Sequence, residues 1–180
     1  MMDLINIILH LDKYIGVVLT NYHEYFYILF FLVIFCETGL VITPFLPGDS
    51  LLFVAGAFAG TGQLDIGVLA VILVVAAFMG DNANFFLGKF IGQKLFSNPK
   101  SKIFRKDILD KTHEFYERHG SKAIIIARFI PLVRTFAPFV AGVGQMTYRK
   151  FVSYSLVASF LWVVIFLVGG YLFGNIPVIK

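Results

Sequence analysis

One stretch of twenty residues decides how this chain folds. It reads Glu37-Thr-Gly-Leu-Val-Ile-Thr-Pro44-Phe-Leu-Pro47-Gly48-Asp49-Ser50-Leu-Leu-Phe-Val-Ala-Gly56. Two carboxylates, two prolines and a glycine turn interrupt a run that is otherwise apolar enough for a bilayer. Proline lacks a backbone donor and clashes with the preceding turn, so no straight helix passes through residues 44–48. Backbone groups freed in lipid must be satisfied by protein or by cavity water. The stretch therefore predicts a broken helix that lines a polar site, with Glu37 and Asp49 as functional candidates.

The composition predicts an all-α integral membrane protein. The 180 residues are 58% hydrophobic and 14% charged, whereas soluble domains are about a quarter charged. Nine of the fifteen Lys and Arg residues fall between Lys89 and Lys122, which predicts a cytoplasmic loop at about 89–122. Acidic residues are interleaved with these cations, as on a solvated helix from 107 to 118, so we expect no nucleic-acid partner.

The N-terminal segment differs from the rest of the chain. Apolar and polar residues alternate at helical spacing over residues 1–23. This pattern is typical of an amphipathic helix lying in the membrane interface, and equally of a leader that packs on the first span. Residues 24–180 are predicted to form a single membrane domain. No cleavable signal peptide is predicted, since the N-terminus lacks a basic region and a small-residue cleavage site.

Several apolar runs are too short to cross a bilayer. The run 25–36 covers about 18 Å as a helix, against a hydrocarbon core of about 30 Å. A first re-entrant hairpin at about 37–60 fits these lengths better than a full crossing. Full spans are predicted at 64–88 and 151–174. Asp81 lies within the first span, either as a secondary functional acid or as a hydrogen-bond partner of a neighbouring broken helix.

A second broken segment repeats the pattern with basic residues. It reads Arg128-Phe-Ile-Pro131-Leu-Val-Arg134-Thr-Phe-Ala-Pro138-Phe-Val-Ala-Gly142 and predicts a second re-entrant hairpin at about 121–144. The expected breaks of the two hairpins are Pro44, Pro47, Gly48, Pro131, Pro138 and Gly142. With the loop 89–122 inside, the two hairpins enter from opposite faces. This is the inverted-repeat arrangement of many secondary transporters, whose sites lie between broken helices at the midplane.

Six motifs, in order, carry a family resemblance. They are Glu37-Thr-Gly; Thr43-Pro44-Phe-Leu-Pro47-Gly48-Asp49-Ser50; Gly80-Asp81; Phe115-x3-His119-Gly120; Arg128-Phe-x-Pro131-x2-Arg134-Thr-x-Ala-Pro138-x-Val-Ala-Gly142; and Met146-x-Tyr148-x2-Phe151. Across roughly residues 25–175 the chain resembles the bacterial DedA family, also called the VTT or SNARE-associated superfamily. The resemblance implies a multi-pass inner-membrane protein of inverted-repeat design. It also implies recycling of the lipid carrier undecaprenyl phosphate and dependence on the proton motive force, and related eukaryotic members scramble phospholipids.

The chain departs from the family pattern at several positions. Ser155 and Ala158 stand where Asn and Gly are common, Phe85 replaces a frequent Tyr, and Lys89 replaces a usual Arg. We expect these changes to touch packing more than the charged site. Family members usually continue into one more apolar helix beyond residue 180, as expected if the C-terminus is truncated.

The charged residues suit two tasks. The family's membrane acids map onto Glu37 and Asp49, and its arginines onto Arg128 and Arg134. Because Pro131 breaks the helix between the arginines, both can face one cavity and bind phosphate oxygens bidentately. A carboxylate that gains and loses an arginine partner can take up and release a proton. The same acids and arginines can also pair as an ion-pair lock, and a lock that the ligand opens is a gate.

An enzymatic function is not predicted. The four histidines lie outside the predicted membrane segments, and no nucleophile, metal or cofactor motif is present. The sequence therefore predicts a lipid-phosphate translocase of the inner membrane that uses protons. A proton-coupled cation or small-solute transporter and a non-transporting scaffold for envelope integrity remain as alternatives. Substrate, direction, ion stoichiometry and oligomeric state, a homo-oligomer included, stay open.

Overall fold

The computed structural model describes residues 11–40, 48–96 and 122–176, with side chains described within 25–40, 48–91, 122–130 and 133–176. These ranges contain helices and no strand, which confirms the all-α prediction for the described chain. The helices are α1 Leu11–Gly39, α2 Gly48–Gly60, α3 Ile66–Phe96, α4 122–128, α5 Pro131–Val143 and α6 Tyr148–Gly174.

The first predicted break separates α1 from α2. Helix α1 ends at Gly39 and α2 begins at Gly48, while Pro44 and Pro47 lie outside the described residues. Helix α1 is continuous from Leu11, so the boundary placed near residue 23 does not interrupt the backbone. The interfacial position of the N-terminal segment stays a prediction.

The second break is narrower than predicted. The chain leaves helical geometry only at residues 129–130, and α5 begins at Pro131, where a missing donor costs nothing. Pro138 and Gly142 were expected to break this hairpin, and that prediction is wrong, because both lie inside α5. Membrane helices tolerate an internal proline when neighbouring groups satisfy the freed backbone.

Two helices are long and apolar enough to cross a membrane. They are the segment Ile66–Ile91 of α3 and all of α6, Tyr148–Gly174. Helix α3 continues to Phe96, eight residues beyond the predicted end of the span at 88. The remainder of the predicted loop, including the short helix expected at 107–118, lies outside the described residues.

Helix α2 packs along α6 through exchanged glycines. A Cβ on Gly56 would lie 2.1 Å from the carbonyl oxygen of Leu167, and a Cβ on Gly170 would lie 1.9 Å from that of Phe53. These separations leave no room for a side chain, so the two backbones touch directly. Small residues allow this approach in membrane helices.

Helix α5 packs along α3 in the same manner. A Cβ on Gly142 would lie 2.0 Å from the carbonyl oxygen of Phe85, and a Cβ on Gly88 would lie 2.1 Å from that of Phe139. Gly142 therefore serves close packing, which is the physical reason that it does not break its helix. Each short helix after a break thus packs on the long helix of the other half of the chain.

The distribution of polarity is the reverse of that in a water-soluble domain. Large apolar side chains such as Val71, Ile126 and Leu172 are more than 60% exposed, whereas Glu37 and Asp81 are almost completely buried. Exposed apolar surface of this kind suits lipid contact. Four charged residues, Glu37, Asp81, Arg128 and Arg134, are buried in the interior.

Candidate functional site

Arg134 joins the two elements that flank the first break. Its Nη2 donates to Oε1 of Glu37, near the end of α1, and its Nη1 donates to Oδ1 of Asp49, in the first turn of α2. Glu37 lies at the negative end of its helix and Arg134 at the positive end of α5, which is unfavourable for each charge alone. Pairing the two charges compensates both positions.

Gly48 lets the Glu37 carboxylate approach the start of α2. The Gly48 N–H donates to Oε1 of Glu37 at 3.3 Å. A Cβ on Gly48 would lie 1.7 Å from Oε2 of Glu37, so no other residue fits this geometry. Oε2 itself is buried and has no hydrogen-bond partner among the described residues. Oε1 of Glu37 thus accepts hydrogen bonds, whereas Oε2 accepts none from the described residues.

Arg128 forms a separate pair with Asp81. The guanidinium is at the end of α4, and its Nη1 donates to Oδ2 of Asp81 in α3. The hydroxyl of Ser155 in α6 donates to the same carboxylate oxygen at 2.6 Å. Nε and Nη2 of Arg128 are buried and have no hydrogen-bond partner within the described part of the chain.

Trp162 connects the two arginines. Its ring centroid lies 5.0 Å from Cζ of Arg128 and 4.9 Å from Cζ of Arg134, within the range of cation–π attraction. Its indole Nε1 donates to Oδ1 of Asp49 at 2.8 Å. The indole is completely buried, so one rigid side chain contacts both ion-pair groups.

Asn84 ties together the backbones that follow Glu37 and Arg134. Its Nδ2 donates to the carbonyl oxygens of Thr38 at 3.1 Å and Thr135 at 2.7 Å. Thr38 follows Glu37 and Thr135 follows Arg134, so one amide of α3 fixes the spacing of an acid and its arginine.

We call five charged residues the buried charge cluster; four of them are buried, and the side chain of Asp49 is 33% exposed. Its members are Glu37, Asp49, Asp81, Arg128 and Arg134. The structure thus brings the four site residues predicted from sequence into one place and adds the acid that was predicted as secondary. Three carboxylates face two guanidiniums, so the fully ionised cluster carries a formal charge of −1. The pairing expected for an ion-pair lock is present.

Sequence reasoning missed three polar residues of this site. Ser155 was expected to affect packing more than the charged site, and that expectation is wrong, because its hydroxyl binds Asp81. Ser155 and Trp162 lie seven residues apart and share one face of α6, a periodic signal that could have placed both on the site. Asn84 follows Asp81 by three residues and shares its helix face in the same way.

Together, the lipid-compatible surface, the long apolar helices and the charges buried at helix breaks define a helical membrane protein with an internal polar site. Residues 46–172 match the sequence family of the VTT domain, and the chain belongs to this family. The resemblance to the DedA family is thereby confirmed.

Relatives agree with this assignment. The chain is 54% identical over 179 residues to "Protein DedA" of Escherichia coli (strain K12), covering 98% of this chain and 82% of that protein. It is 40% identical over 148 residues to "Uncharacterized membrane protein ML0287" of Mycobacterium leprae (strain TN), covering 82% and 66%. It is 31% identical over 152 residues to "Inner membrane protein YqjA" of Escherichia coli (strain K12), covering 84% and 69%. No solved structure matches the chain.

Proposed function

We propose that this protein moves a lipid phosphate, of the polyprenyl phosphate or phospholipid type, across the inner membrane and couples the movement to protons. The observation that carries the proposal is the buried charge cluster, in which two arginines, each close to a helix break, pair with three acids. Charges inside a membrane protein are costly and therefore mark transport pathways and proton relays. The relative named an inner membrane protein supports the location.

The helix packing supports an inverted repeat of two re-entrant hairpins. Helix α2 follows the first break and packs on α6, and α5 follows the second break and packs on α3. In both contacts a glycine of the short helix meets a carbonyl of the long helix, and a glycine of the long helix meets a carbonyl of the short one. Two halves that exchange equivalent contacts around a central site can alternate access to it.

Phosphate recognition falls to Arg128 and Arg134. A guanidinium stays charged when buried and matches the spacing of phosphate oxygens. Both arginines lie beside helix breaks, so a small rotation of α4 or α5 would redirect them without unfolding a long helix. An anionic headgroup competes with the carboxylates for the same donors, which makes the ion pairs a gate.

Proton coupling falls to Glu37 and Asp49, with Asp81 as a secondary acid. Adding a phosphate to a cluster of formal charge −1 increases the negative charge in a low-dielectric interior, unless an acid binds a proton. Glu37 suits this role because its Oε2 is buried and has no hydrogen-bond partner among the described residues. A proton on Glu37 weakens its hold on Arg134 and frees that guanidinium for the headgroup.

The rate at which the reconstituted full chain moves a lipid phosphate across a liposome membrane tests the proposal. We expect Arg128→Ala and Arg134→Ala each to abolish movement of a defined polyprenyl phosphate in liposomes, while gel filtration shows a folded protein. An exposed arginine of α6, Arg149, supplies the matched control, Arg149→Ala, which should flip at the wild-type rate. Full activity in both cluster variants would refute the assignment.

The net negative charge of the cluster favours one second candidate, a proton-coupled cation or small-solute transporter. Such a protein would show acid-dependent flux of the solute in liposomes that contain no lipid phosphate. A scaffold without transport would show no flux in any variant. In that case Arg134→Glu combined with Glu37→Arg would restore the cellular phenotype.

A further inference from the structure

The two buried arginines differ in how many of their donors are used. Arg134 directs both terminal nitrogens at carboxylates, Nη1 at Asp49 and Nη2 at Glu37, and only its buried Nε has no hydrogen-bond partner among the described residues. Arg128 directs only Nη1 at a carboxylate, that of Asp81. Its Nε and Nη2 are buried and have no hydrogen-bond partner among the described residues. Buried donors are normally satisfied, so a guanidinium left half-satisfied is unusual and suits a ligand site.

The unused donors of Arg128 form a geometric unit. Nε–H and the adjacent N–H of Nη2 lie on one edge of the planar guanidinium and point in the same direction. This edge binds two oxygens of a carboxylate or phosphate in parallel, the strongest arrangement available to arginine. Nη1 lies in the same plane but away from this edge, and it donates to Asp81 without occupying the edge.

The surroundings hold that edge in place. Asp81 fixes one end of the guanidinium, and the Ser155 hydroxyl fixes Asp81. The ring of Trp162 lies 5.0 Å from Cζ of Arg128. An anchored carboxylate and an aromatic ring restrict the guanidinium before any ligand arrives, which reduces the entropy lost on binding.

We propose that the Nε/Nη2 edge of Arg128 binds the phosphate monoester group first, and that Arg134 binds it only after the Glu37 and Asp49 carboxylates release the Arg134 guanidinium. This inference rests on the proposed function and deepens it, because it divides the work between the two arginines. The edge is buried, so access requires an opening movement of the neighbouring helices, as alternating access does.

The intrinsic fluorescence of the purified full-length chain measures phosphate binding at this edge of Arg128. Trp162 is the single tryptophan, and its ring contacts both guanidiniums. Phosphate binding at either arginine therefore changes the emission of one defined residue. The probes are a short-chain polyprenyl monophosphate and inorganic phosphate, which separate a lipid headgroup from a free anion. The corresponding uncharged prenol measures tail binding alone.

Lysine variants separate the two arginines, since lysine keeps the charge and cannot form the two-donor edge. We expect Arg128→Lys to raise the dissociation constant of the prenyl phosphate at least about tenfold. Arg134→Lys, whose partners are already carboxylates, should change it by less than about threefold. The exposed control Arg149→Lys should match the wild type. Flipping should be lost in both cluster variants.

Each outcome decides the proposal. Equal loss of binding in Arg128→Lys and Arg134→Lys, or the larger loss in Arg134→Lys, would overturn the division of roles and leave lipid-phosphate transport intact. If the wild type binds neither phosphate probe, both the inference and the proposed function fail. If Arg128→Lys does not fold, Arg128→Gln combined with Asp81→Asn replaces the ion pair with a neutral pair. That double variant should also fail to bind the prenyl phosphate, and wild-type affinity in it would refute binding at the Arg128 edge.

Discussion

Arg128 and Arg134 are the same residue type at similar burial, yet their surroundings differ. Arg134 is shared by two carboxylates that come from either side of a helix break. Arg128 has one carboxylate, and that carboxylate is itself shared with a serine hydroxyl. Among the described residues, Arg134 leaves only its buried Nε without a hydrogen-bond partner, whereas Arg128 leaves the adjacent Nε and Nη2 without one. Both arginines are paired with carboxylates, so charge pairing does not distinguish them; the difference is that Arg128 alone of the two keeps a pair of adjacent donors, which can bind two oxygens in parallel.

The two arginines are not independent. The Trp162 ring contacts both, and the indole N–H binds Asp49 beside Arg134. Asn84 ties the backbone after Glu37 to the backbone after Arg134. Trp162 therefore contacts both ion-pair groups, whereas Asn84 ties two members of the Arg134 group to each other.

The largest effect is expected when Arg134 is removed. Arg134→Ala leaves two carboxylates without their cation, and breaking a buried ion pair lowers the free energy of unfolding by about 3–5 kcal/mol. Arg128→Ala leaves one carboxylate, still bound by Ser155, and also removes the unsatisfied donors, so its loss should be smaller. Thermal unfolding in detergent measures the loss of stability in both variants.

Neutralising the acids supplies the control for this comparison. Arg134→Ala combined with Glu37→Gln and Asp49→Asn should recover most of the lost stability, since no buried charge is left unpaired. Equal losses in the two single variants would show that the arginines are equivalent, contrary to the distinction drawn above.

A medium effect is expected at Gly48, which serves the Arg134 group alone. Gly48→Ala would place a Cβ 1.7 Å from the Glu37 carboxylate and force that side chain to move. Overpacking of this kind costs about 1–3 kcal/mol. Phosphate binding at Arg128, followed by Trp162 fluorescence, should persist while flipping is lost.

Gly169→Ala is the matched control for Gly48→Ala. The nearest atom to a Cβ at this helical position lies 3.9 Å away, so the substitution should be neutral or slightly stabilising. If both alanine variants behave alike, the contact between Gly48 and Glu37 does not shape the site.

An effect on stability similar in size to that of Gly48→Ala is expected on the Arg128 side. Ser155→Ala removes the hydroxyl that donates to Asp81 at 2.6 Å, and loss of one hydrogen bond to a charged group costs about 1–3 kcal/mol. Because Asp81 then holds Arg128 less firmly, phosphate affinity should fall while the Arg134 group is unchanged. Ser153→Ala, exposed on the same helix, should leave affinity and stability at wild-type values. An unaltered phosphate affinity in Ser155→Ala would show that the hydrogen bond from Ser155 is not required for Asp81 to position Arg128.

The sequence predicted the helix breaks better than it predicted their details. Prolines flanked by apolar residues predicted both breaks, because a missing donor is a local property. Pro131 begins α5 directly after the second break, whereas Pro44 and Pro47 lie outside the described residues. Pro138 shows the limit: the helix that surrounds it survives because it packs on α3, and packing between distant segments is not a local property. Whether the hairpins re-enter the membrane stays a prediction.

The charged members of the site were predictable because a charge within an apolar run is costly in lipid and rarely serves packing alone. The polar members were not. The Ser155 hydroxyl binds an acid 74 residues earlier in the chain, and the Trp162 indole binds one 113 residues earlier. A lone serine or tryptophan in a membrane helix is compatible with ordinary packing, so only the fold shows its partner. The same holds for the pairing itself, which joins Arg128 to Asp81 rather than to Glu37 or Asp49.

The most direct test of the central claim is the rate at which the reconstituted chain moves a defined polyprenyl monophosphate across liposomes, with and without a pH gradient. We predict that the wild type moves the lipid, that the gradient changes the rate, and that Glu37→Gln abolishes the response to the gradient. Wild-type liposomes that move no lipid phosphate, or that move it equally well with Glu37→Gln under the same gradient, would contradict proton-coupled translocation by the buried charge cluster.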